Sequence, residues 1–367
     1  MRKFTCFFAF FVVLLTLVPT FSFATDVSAR SAVLLDARSD RVIYEKNKDE
    51  PMPMASTTKI MTAIVVLESC PLDKIVKIDE RSVGIEGSSI YLKSGETLTV
   101  KDLLYALLLE SANDASVALA IAACGSEAAF VEKMNEKAQT LGLTSTHFTN
   151  PHGLYDEEHY TTAYELAVIA DYALKNQDFA QIVGTKKMTI PLNNGEGTRI
   201  LINHNRLLRS FEGANGVKTG FTKKSGRCLV SSAEIDGTRL ICVTLNAPND
   251  WRDHTSLLSY GFDRLESFKL AEKGSYLIEI PVVGGKASTV LATNGEELTV
   301  TLEKGENNIC AHLITNSLIC APLSKTDTVG KIVFYNNGEE IGEISLYPVK
   351  DVYKQNYKKS LFEGLFN

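Results

Sequence analysis

The chain has 367 residues, of which 45% are hydrophobic and 22% are charged, a composition typical of a globular protein. This length suits one large domain together with a smaller one. The net charge of −6 excludes a predominantly basic protein. The sequence has no stripe of Lys and Arg, so binding to nucleic acid is not predicted.

The N-terminus has the pattern of a secretory signal. Arg2 and Lys3 precede an apolar stretch over residues 4–18, and Ser-Phe-Ala at 22–24 offers the small residues that a signal peptidase reads. An uncleaved membrane anchor is the alternative, but the apolar stretch is short for a bilayer span. The sequence therefore predicts a signal peptide over residues 1–24 and an exported protein.

Strand patterns stand at both ends of the next 240 or so residues, and helical patterns stand between them. Asp236-Gly237 marks a two-residue hairpin turn near the later end. Strands at both ends predict one sheet with helices packed around it. The predicted strands cover residues 31–36, 41–45, 216–220, 228–235 and 238–245, and the predicted helices cover residues 57–68, 100–110, 114–123, 127–141, 162–175 and 251–262.

After about residue 273 the pattern changes to short runs of strand character separated by Gly, Asn and Asp. Such runs predict a small all-β sandwich, which carries no catalytic constellation and is interpreted as a spacer or an interaction module. The predicted organisation is a signal peptide over 1–24, a catalytic domain over 25–270, a β-sandwich domain over 271–349 and a tail over 350–367.

The seven cysteines do not predict a metal site. None forms Cys-x-x-Cys, and no Cys/His cluster has the spacing of a zinc finger. Cys310 and Cys320 flank a predicted turn at Thr315-Asn316 and could pair, whereas Cys6 leaves with the signal peptide and the other four are predicted to be buried as small hydrophobic residues.

Three histidines cluster in the sequence at His147, His152 and His159. Their spacing fits neither a helical metal-binding pair nor a zincin. We therefore expect them to make structural hydrogen bonds, and no metal or other cofactor is predicted.

The string Ser-Thr-Thr-Lys at 56–59 opens a predicted helix. Residues three apart on a helix face the same way, so Ser56 can contact Lys59. A serine hydroxyl needs an adjacent base, and a lysine becomes one only when burial or a neighbouring cation lowers its pKa. The positive end of the helix would also favour negative charge that develops at Ser56. Taken alone, the string is better explained as a helix N-cap followed by a solvated lysine.

A second string, Ser111-Ala112-Asn113, lies between two apolar helices in a loop that could enter a cleft. Ser111 could relay a proton to a leaving amine. Asn113 could donate to a substrate amide oxygen or hold Lys59 in place. Taken alone, this string is better explained as a helix stop before an N-cap at Asp114.

A third string, Lys218-Thr219-Gly220, lies on a predicted strand. Lys218 and Thr219 can bind a carboxylate, and Gly220 lets a substrate backbone approach closely. A phosphate-binding loop is excluded because Val217, not Gly, precedes Lys218. Each string is weak alone, but their order in an exported chain predicts acyl transfer through a serine.

At these strings the chain closely resembles the low-molecular-mass penicillin-binding proteins, the serine-type D-alanyl-D-alanine carboxypeptidases. The resemblance spans roughly residues 29–262 and implies an α/β (α+β) domain of the serine β-lactamase/penicillin-binding type, with an antiparallel sheet flanked by helices and a small C-terminal β-sandwich. The similar segments are residues 53–62, 111–115, 146–154, 159–163 and 213–222.

The resemblance implies a carboxypeptidase that removes the terminal D-alanine from peptidoglycan stem pentapeptides and is inhibited covalently by β-lactam antibiotics. The backbone N–H groups of Ser56 and Phe221 would form the oxyanion hole, and Arg252 lies where the family places an arginine for the terminal carboxylate of the substrate. The implied catalytic residues are Ser56, Lys59, Ser111, Asn113 and Lys218, and the implied substrate-binding residues are Thr219, Gly220, Phe221 and Arg252.

One departure from a related class bears on function. Ala112 stands where class A β-lactamases usually carry Asp, and no convincing Glu-x-x-Leu-Asn box follows. A penicillin-derived acyl-enzyme should then hydrolyse slowly. The alternatives that remain are a non-catalytic sensor of wall peptides or β-lactams, and an endopeptidase, a transpeptidase or a β-lactamase on the same fold.

The tail has a four-residue apolar repeat at Tyr353, Tyr357, Leu361 and Leu365, with Lys354, Lys358 and Lys359 beside it. A helix with this pattern would be amphipathic and could lie on an anionic membrane surface. A frayed tail and a helix docked on its own protein are the alternatives. The sequence predicts a protein held on the outer face of the cytoplasmic membrane.

Overall fold

The structure is a computed structural model that describes residues 26–192, 196–306, 308–315 and 318–355. The predicted signal peptide and most of the predicted tail lie outside the described residues. Strand pairing divides the rest into a mixed unit, which ends with a helix at Arg264, and an all-β unit, which begins with a strand at Leu265. The sequence pattern placed this change a few residues later, at 270/271.

The mixed unit has eight helices and nine strands among the described residues. The helices are α1 (Lys59–Ser69), α2 (Val100–Leu109), α3 (Asn113–Cys124), α4 (Glu127–Thr140), α5 (Ala163–Leu174), α6 (Gln177–Gly184), α7 (Leu207–Ser210) and α8 (Asp250–Arg264). The strands are β1 (Ser31–Asp36), β2 (Arg41–Lys46), β3 (Ile75–Lys77), β4 (Thr97–Thr99), β5 (Lys187–Leu192), β6 (Gly197–Ile202), β7 (Ala214–Thr222), β8 (Gly226–Ile235) and β9 (Thr238–Leu245).

The central sheet is antiparallel, with five strands in the order β2-β1-β9-β8-β7. β1 pairs with β9 from Ser31↔Leu245 to Asp36↔Leu240, so the two ends of the mixed unit meet in the middle of the sheet. The prediction of one antiparallel sheet built from both ends of this unit is confirmed.

Helices cover both faces of this sheet, which explains the apolar run over residues 32–35 of β1. Successive side chains of a strand point to opposite faces. Val33 and Leu35 pack in the larger core with α1, α2, α3 and α5, whereas Leu34 packs in the smaller core with Leu257 and Leu258 of α8. A strand that is buried on both faces has no polar alternation, so its sequence is a continuous apolar run.

Caps set the starts of several helices. Thr99 accepts from the backbone N–H of Asp102, while the Asp102 side chain accepts from the N–H of Thr99, a reciprocal capping box at the start of α2. Thr162 caps α5 by accepting from the N–H of Glu165. The helix predicted over 57–68 instead begins at Lys59, after a tight 3-10 turn over Ala55–Thr58.

The all-β unit contains a five-stranded antiparallel sheet and a two-stranded sheet. Apolar side chains from both sheets share one core, which agrees with the predicted small β-sandwich. Its strands are β10 (Leu265–Ala271), β11 (Leu277–Pro281), β12 (Thr289–Asn294), β13 (Leu298–Glu303), β14 (Ile309–Thr315), β15 (Gly330–Asn336) and β16 (Glu339–Pro348), with sheet orders β11-β12-β16-β15-β14 and β10-β13.

The six cysteines within the described residues are free. Cys310 and Cys320 are both exposed and unpaired, so the disulfide considered from the sequence is not formed. Cys70, Cys228 and Cys242 are buried as expected, and Cys124 is only partly buried.

The start of the predicted tail belongs to the all-β unit. Val352 is buried and exchanges two backbone hydrogen bonds with Leu323, and the N–H of Lys286 donates to the carbonyl of Tyr353. Residues 351–355 are therefore extended and paired, which corrects the prediction of an amphipathic helix that includes Tyr353. Tyr357, Leu361 and Leu365 lie outside the described residues.

Candidate active site

The serine of the first string lies in the 3-10 turn that leads into α1. Strand β7 packs directly against this turn, because a Cβ atom added at Gly220 would lie only 3.0 Å from the backbone nitrogen of Ser56 and 3.2 Å from the Cβ of Ala55. A side chain at position 220 would push β7 away from the serine. The glycine thus brings the third string into contact with the first.

Lys59 is completely buried beneath the serine. Its Nζ lies 3.0 Å from Ser56 Oγ, 2.7 Å from Asn113 Oδ1 and 2.6 Å from the carbonyl oxygen of His152. The amide and carbonyl oxygens can only accept hydrogen bonds, whereas the serine hydroxyl can also donate. A neutral lysine would donate its two hydrogens to Asn113 and His152 and present its lone pair to the Ser56 hydroxyl.

The environment of Lys59 favours that neutral form. Burial lowers its pKa well below the ordinary value, the nearby Lys218 ammonium lowers it further, and the Asp114 carboxylate opposes both effects. Lys218 is itself buried, and this burial lowers its pKa to about 7. Two buried lysines in one site therefore make proton acceptance at neutral pH possible.

The second string is held by a network at the start of α3. The backbone N–H of Asn113 donates to the carbonyl of Ser88 at 2.7 Å, and its side-chain amide donates to the carbonyl of Glu86. Asp114 is buried and accepts from the Ser89 hydroxyl and from the N–H groups of Ile90 and Leu92. These bonds fix the amide oxygen that faces Lys59 and leave Ser111 at the cleft surface.

The three strings meet at a cleft of about 310 Å³. Asp250 pairs with Arg227 at 2.9 Å, and the guanidinium of Arg206 lies over the ring of Trp251. The wall of the cleft thus carries two arginines. Its lining consists of Ser56, Ser88, Ser111, His204, Arg206, Thr219, Gly220, Phe221, Arg227, Asp250 and Trp251.

Arg252 is not among the residues that line this cleft. Its side chain is exposed and borders an adjoining depression of about 330 Å³. Arg206 and Arg227 border both spaces. Arg252, predicted from a loose local match, therefore borders the neighbouring depression. Arg206 and Arg227, which the sequence pattern did not single out, line the cleft that contains Ser56.

A sequence signal for Arg227 did exist. The strands predicted over 216–220 and 228–235 are close in sequence, and in the observed register of β7 with β8 Arg227 lies opposite Phe221, directly after the Lys-Thr-Gly string. Arg206 offered no comparable signal, because it lies in the loop just before the short helix α7.

The clustered histidines make the structural hydrogen bonds that were expected. His159 contacts the hydroxyl of Thr58 at 2.7 Å, and His147 Nδ1 contacts the carbonyl of Glu158. His152 contributes its backbone carbonyl to Lys59, and its ring lies 3.6 Å from Glu127. Among the described residues no group of His, Cys, Asp and Glu has the arrangement of a metal site.

Comparisons with known proteins agree for both units of the chain. Residues 19–249 match the model of the D-alanyl-D-alanine carboxypeptidase family, and residues 265–354 match that of the C-terminal domain of penicillin-binding protein 5. The D-alanyl-D-alanine carboxypeptidase DacF of Bacillus subtilis is 34% identical over 90% of this chain and 87% of its own length. DacC of Escherichia coli is also 34% identical, over 90% of this chain and 85% of its own length.

Solved structures give the same result. Penicillin-binding protein 5 of Haemophilus influenzae has a TM-score of 0.74 at 30% identity and covers 90% of this chain and 98% of its own. A peptidoglycan synthesis regulatory factor (PBP3) of Streptococcus pneumoniae has a TM-score of 0.77 at 26% identity, with 89% and 100% covered. These findings support the carboxypeptidase interpretation over a sensor, an endopeptidase or a β-lactamase. The chain belongs to the D-alanyl-D-alanine carboxypeptidase family and is a serine carboxypeptidase.

Proposed function

We propose that Ser56 forms the acyl-enzyme and that neutral Lys59 is its general base. The observation that carries this proposal is the position of Lys59 Nζ, which is buried and lies 3.0 Å from Ser56 Oγ while two obligate acceptors occupy its hydrogens. Lys59 removes the hydroxyl proton as Oγ attacks the carbonyl carbon of the penultimate D-alanine.

The oxyanion that forms is bound by the backbone N–H groups of Ser56 and Phe221. The close approach of Gly220 to the Ser56 nitrogen supports this pairing, since it holds the two N–H groups on neighbouring walls of the cleft. Ser111 then carries the proton to the leaving amine of the terminal D-alanine. Water hydrolyses the ester in a second, chemically similar step.

The substrate proposed for this site is a peptidoglycan stem pentapeptide. Its terminal carboxylate is an anion, and Thr219, Arg206 and Arg227 lie along the cleft wall where that anion would bind. Arg227 is oriented by Asp250, and Lys218 adds positive charge when it is protonated. Arg252, at the adjoining depression, is left as a more distant contributor.

β-Lactam antibiotics are proposed to acylate the same serine. The strained amide of a β-lactam meets the same nucleophile and oxyanion hole as the peptide. Among the described residues that line the cleft the single carboxylate is that of Asp250, which is paired with Arg227. A second carboxylate base that could activate water against the penicilloyl ester is therefore not supplied by the lining.

The mature protein is proposed to act outside the cytoplasm, on the outer face of the cytoplasmic membrane. The signal pattern over residues 1–24 and the apolar, basic pattern after residue 355 support this location. No single helix within the described residues is long and apolar enough to cross a bilayer, and only the bent pair α3 and α4 passes such a test together.

Release of D-alanine tests the assignment of the nucleophile. A peptide that ends in D-Ala-D-Ala should lose one D-alanine, and a matched peptide that ends in D-Ala-L-Ala should not. Ser56→Ala should abolish this release and covalent labelling by fluorescent penicillin while the circular dichroism spectrum stays unchanged. Ser88→Ala is the matched control, because Ser88 also lines the cleft but is not assigned to the reaction. Undiminished labelling of Ser56→Ala would show that another residue is the nucleophile.

A further inference from the structure

The segment that follows α4, residues 144–162, packs along the inner side of the turn that carries Ser56; we call it the connecting segment. Met52 and Thr161 exchange two backbone hydrogen bonds, at 2.8 and 3.0 Å, just before the turn. The Thr62 hydroxyl donates to the carbonyl of Pro151 at 2.6 Å, one helical turn beyond Lys59. The connecting segment therefore bonds the chain both before and after the turn that carries Ser56.

Between these two contacts a buried chain of hydrogen bonds leads to the residue before the nucleophile. The N–H of Thr149 donates to His159 Nδ1 at 3.0 Å, so Nδ1 must be an acceptor without a proton. The proton of a neutral ring then sits on Nε2, which donates to Thr58 Oγ1 at 2.7 Å. The Thr58 hydroxyl uses its own hydrogen to donate to the carbonyl oxygen of Ala55 at 2.8 Å.

The last acceptor in this series of hydrogen bonds is the carbonyl of Ala55, a residue with an unusual backbone conformation. Ala55 has a φ of 49°, in the left-handed region that a residue with a Cβ atom rarely adopts. Such a conformation is strained and persists only where surrounding contacts hold it. The carbonyl of Ala55 belongs to the peptide group whose nitrogen is that of Ser56. A rotation of this peptide group would turn the Ser56 N–H away from the oxyanion.

The connecting segment also closes on this carbonyl from the other side. Gly153 has a φ of 85°, and a Cβ atom added there would lie 2.0 Å from the Ala55 oxygen. The neighbouring carbonyl of His152 accepts from Lys59. One short stretch of chain thus contacts both the peptide group of the nucleophile and its base.

We propose that His159 and Thr58 are positioning residues for acyl transfer, because their hydrogen bonds hold the Ala55–Ser56 peptide group in the orientation that points the Ser56 N–H into the oxyanion hole. The inference rests on the proposed role of Ser56. Neither side chain lines the cleft, so neither touches the substrate. Both are buried, and the pKa of His159 falls to about 4 mainly through that burial, so the ring stays neutral and keeps this tautomer at neutral pH.

Thr58→Val is the main test, because valine has nearly the shape of threonine and removes only the hydroxyl. A misplaced oxyanion donor should slow both acylation and deacylation, so we expect the acylation rate with penicillin and the kcat for the peptide to fall by roughly 10- to 100-fold. KM should change by less than about threefold, because the substrate contacts are intact. Rates are expressed per active site, counted by the endpoint of penicillin labelling, so a partly misfolded sample does not imitate the effect.

Conservative variants and a matched control separate positioning from packing. Thr58→Ser and His159→Gln keep a hydroxyl and a donor and should retain rates within about threefold of the parent, whereas His159→Leu should resemble Thr58→Val. Thr62→Val removes a buried hydroxyl that also bonds the connecting segment but does not reach Ala55. It should lower the melting temperature without lowering kcat per active site.

Two results would overturn the inference. One is a Thr58→Val enzyme with the kcat and acylation rate of the parent, and the other is an equal loss of rate in Thr62→Val. The double variant Thr58→Val/His159→Leu should be no slower than either single variant, since both act through one chain; additive losses would also contradict it. Failure of the Ser56 assignment is a separate outcome, seen as labelling that survives Ser56→Ala.

Discussion

At the scale of single residues, the charge state of one lysine determines whether this site can work. Ser56 Oγ can lose its proton only to a group that is unprotonated at the working pH. In the proposed mechanism this group is Lys59, whose pKa is lowered well below its ordinary value by burial and further by the neighbouring Lys218. Asn113 Oδ1 and the His152 carbonyl then orient the neutral amine rather than neutralise a charge.

Lys59→Arg should therefore inactivate the enzyme although it preserves the positive charge. A guanidinium stays protonated in proteins and cannot accept the Ser56 proton. The acylation rate with penicillin should fall by about 100- to 10,000-fold, the range typical of a lost general base. Stopped-flow fluorescence of labelled penicillin measures this rate. Lys74→Arg is the matched control, because Lys74 bonds only a backbone carbonyl and the Cys70 thiol far from the cleft and should keep the parental rate.

The sequence predicted the side chains that meet at the candidate site but not every group that contacts them. Ser56 and Lys59 are in contact as their spacing indicated, and Asn113 contacts Lys59, which is one of the two roles considered for it. The carbonyl of His152 could not be foreseen as a partner of Lys59, because a backbone oxygen has no residue-type signature. Arg252 stays a predicted substrate-binding residue, but it borders the adjoining depression, because a local match does not say on which side of a helix start the cleft lies.

At the scale of elements, most errors concern segments that depend on tertiary contacts. The helix α6, with eight residues, and the hairpin of β5 and β6 were not predicted. A short helix is marginal alone, and α6 forms because Phe179, Ile182 and Val183 pack into the larger core. The turn before α1 was predicted as helix because Ser-Thr-Thr-Lys fits a helix start, whereas contact with β7 imposes the 3-10 geometry.

The cleft between β7 and the start of α3 also predicts how long a penicilloyl adduct survives. Among the described residues its lining has a single carboxylate, that of Asp250, which is paired with Arg227 and so is not a free base. We expect the adduct to outlive many turnovers of a D-Ala-D-Ala peptide. Intact-mass spectrometry after removal of free penicillin follows the adduct, with Ser56→Ala as the blank. Return to the unmodified mass on the time scale of peptide turnover would instead indicate a β-lactamase.

At the scale of the whole molecule, buried histidines link stability to pH. Burial lowers the pKa of His152 to about 3, of His159 to about 4 and of His254 to about 3. His254 lies in the smaller core between the hydroxyls of Ser231 and Thr244. Because all three bind protons more readily in the unfolded chain, whose histidines titrate near about 6.5, acid favours unfolding.

The free energy of unfolding, measured with urea, should therefore fall as the pH is lowered from 6.5 towards 5. Above pH 7 the three buried histidines should contribute almost no pH dependence. Each histidine can contribute up to about 1.4 kcal/mol per pH unit within that window. His254→Gln should be less stable at pH 7 but should show a smaller loss between pH 6.5 and 5. His312→Gln is the control, because His312 is exposed on β14 and should keep the parental slope. An unchanged slope in His254→Gln would contradict this linkage.

The remaining whole-molecule prediction concerns how the protein is held at the membrane. Because Val352 is buried in the all-β unit and residues 351–355 are paired, an anchor can begin only after Gln355. The sequence after that point contains the apolar Leu361 and Leu365 together with two lysines, Lys358 and Lys359. Apolar insertion combined with attraction to anionic lipid should bind vesicles of phosphatidylglycerol and phosphatidylcholine, and high salt should weaken this binding without abolishing it.

Removal of residues 356–367 should free the mature chain from these vesicles and leave D-alanine release from a soluble peptide nearly unchanged, because the cleft residues end at Trp251. Leu361→Glu together with Leu365→Glu should have the same effect, since a charged side chain opposes insertion of the apolar face. Leu318→Glu is the matched control: Leu318 is an exposed leucine of the all-β unit outside the tail, and its replacement should not change binding. Sedimentation with vesicles at low and high salt measures the bound fraction. If the shortened chain binds as well as the full mature chain, the tail does not anchor the protein and the attachment must come from another surface.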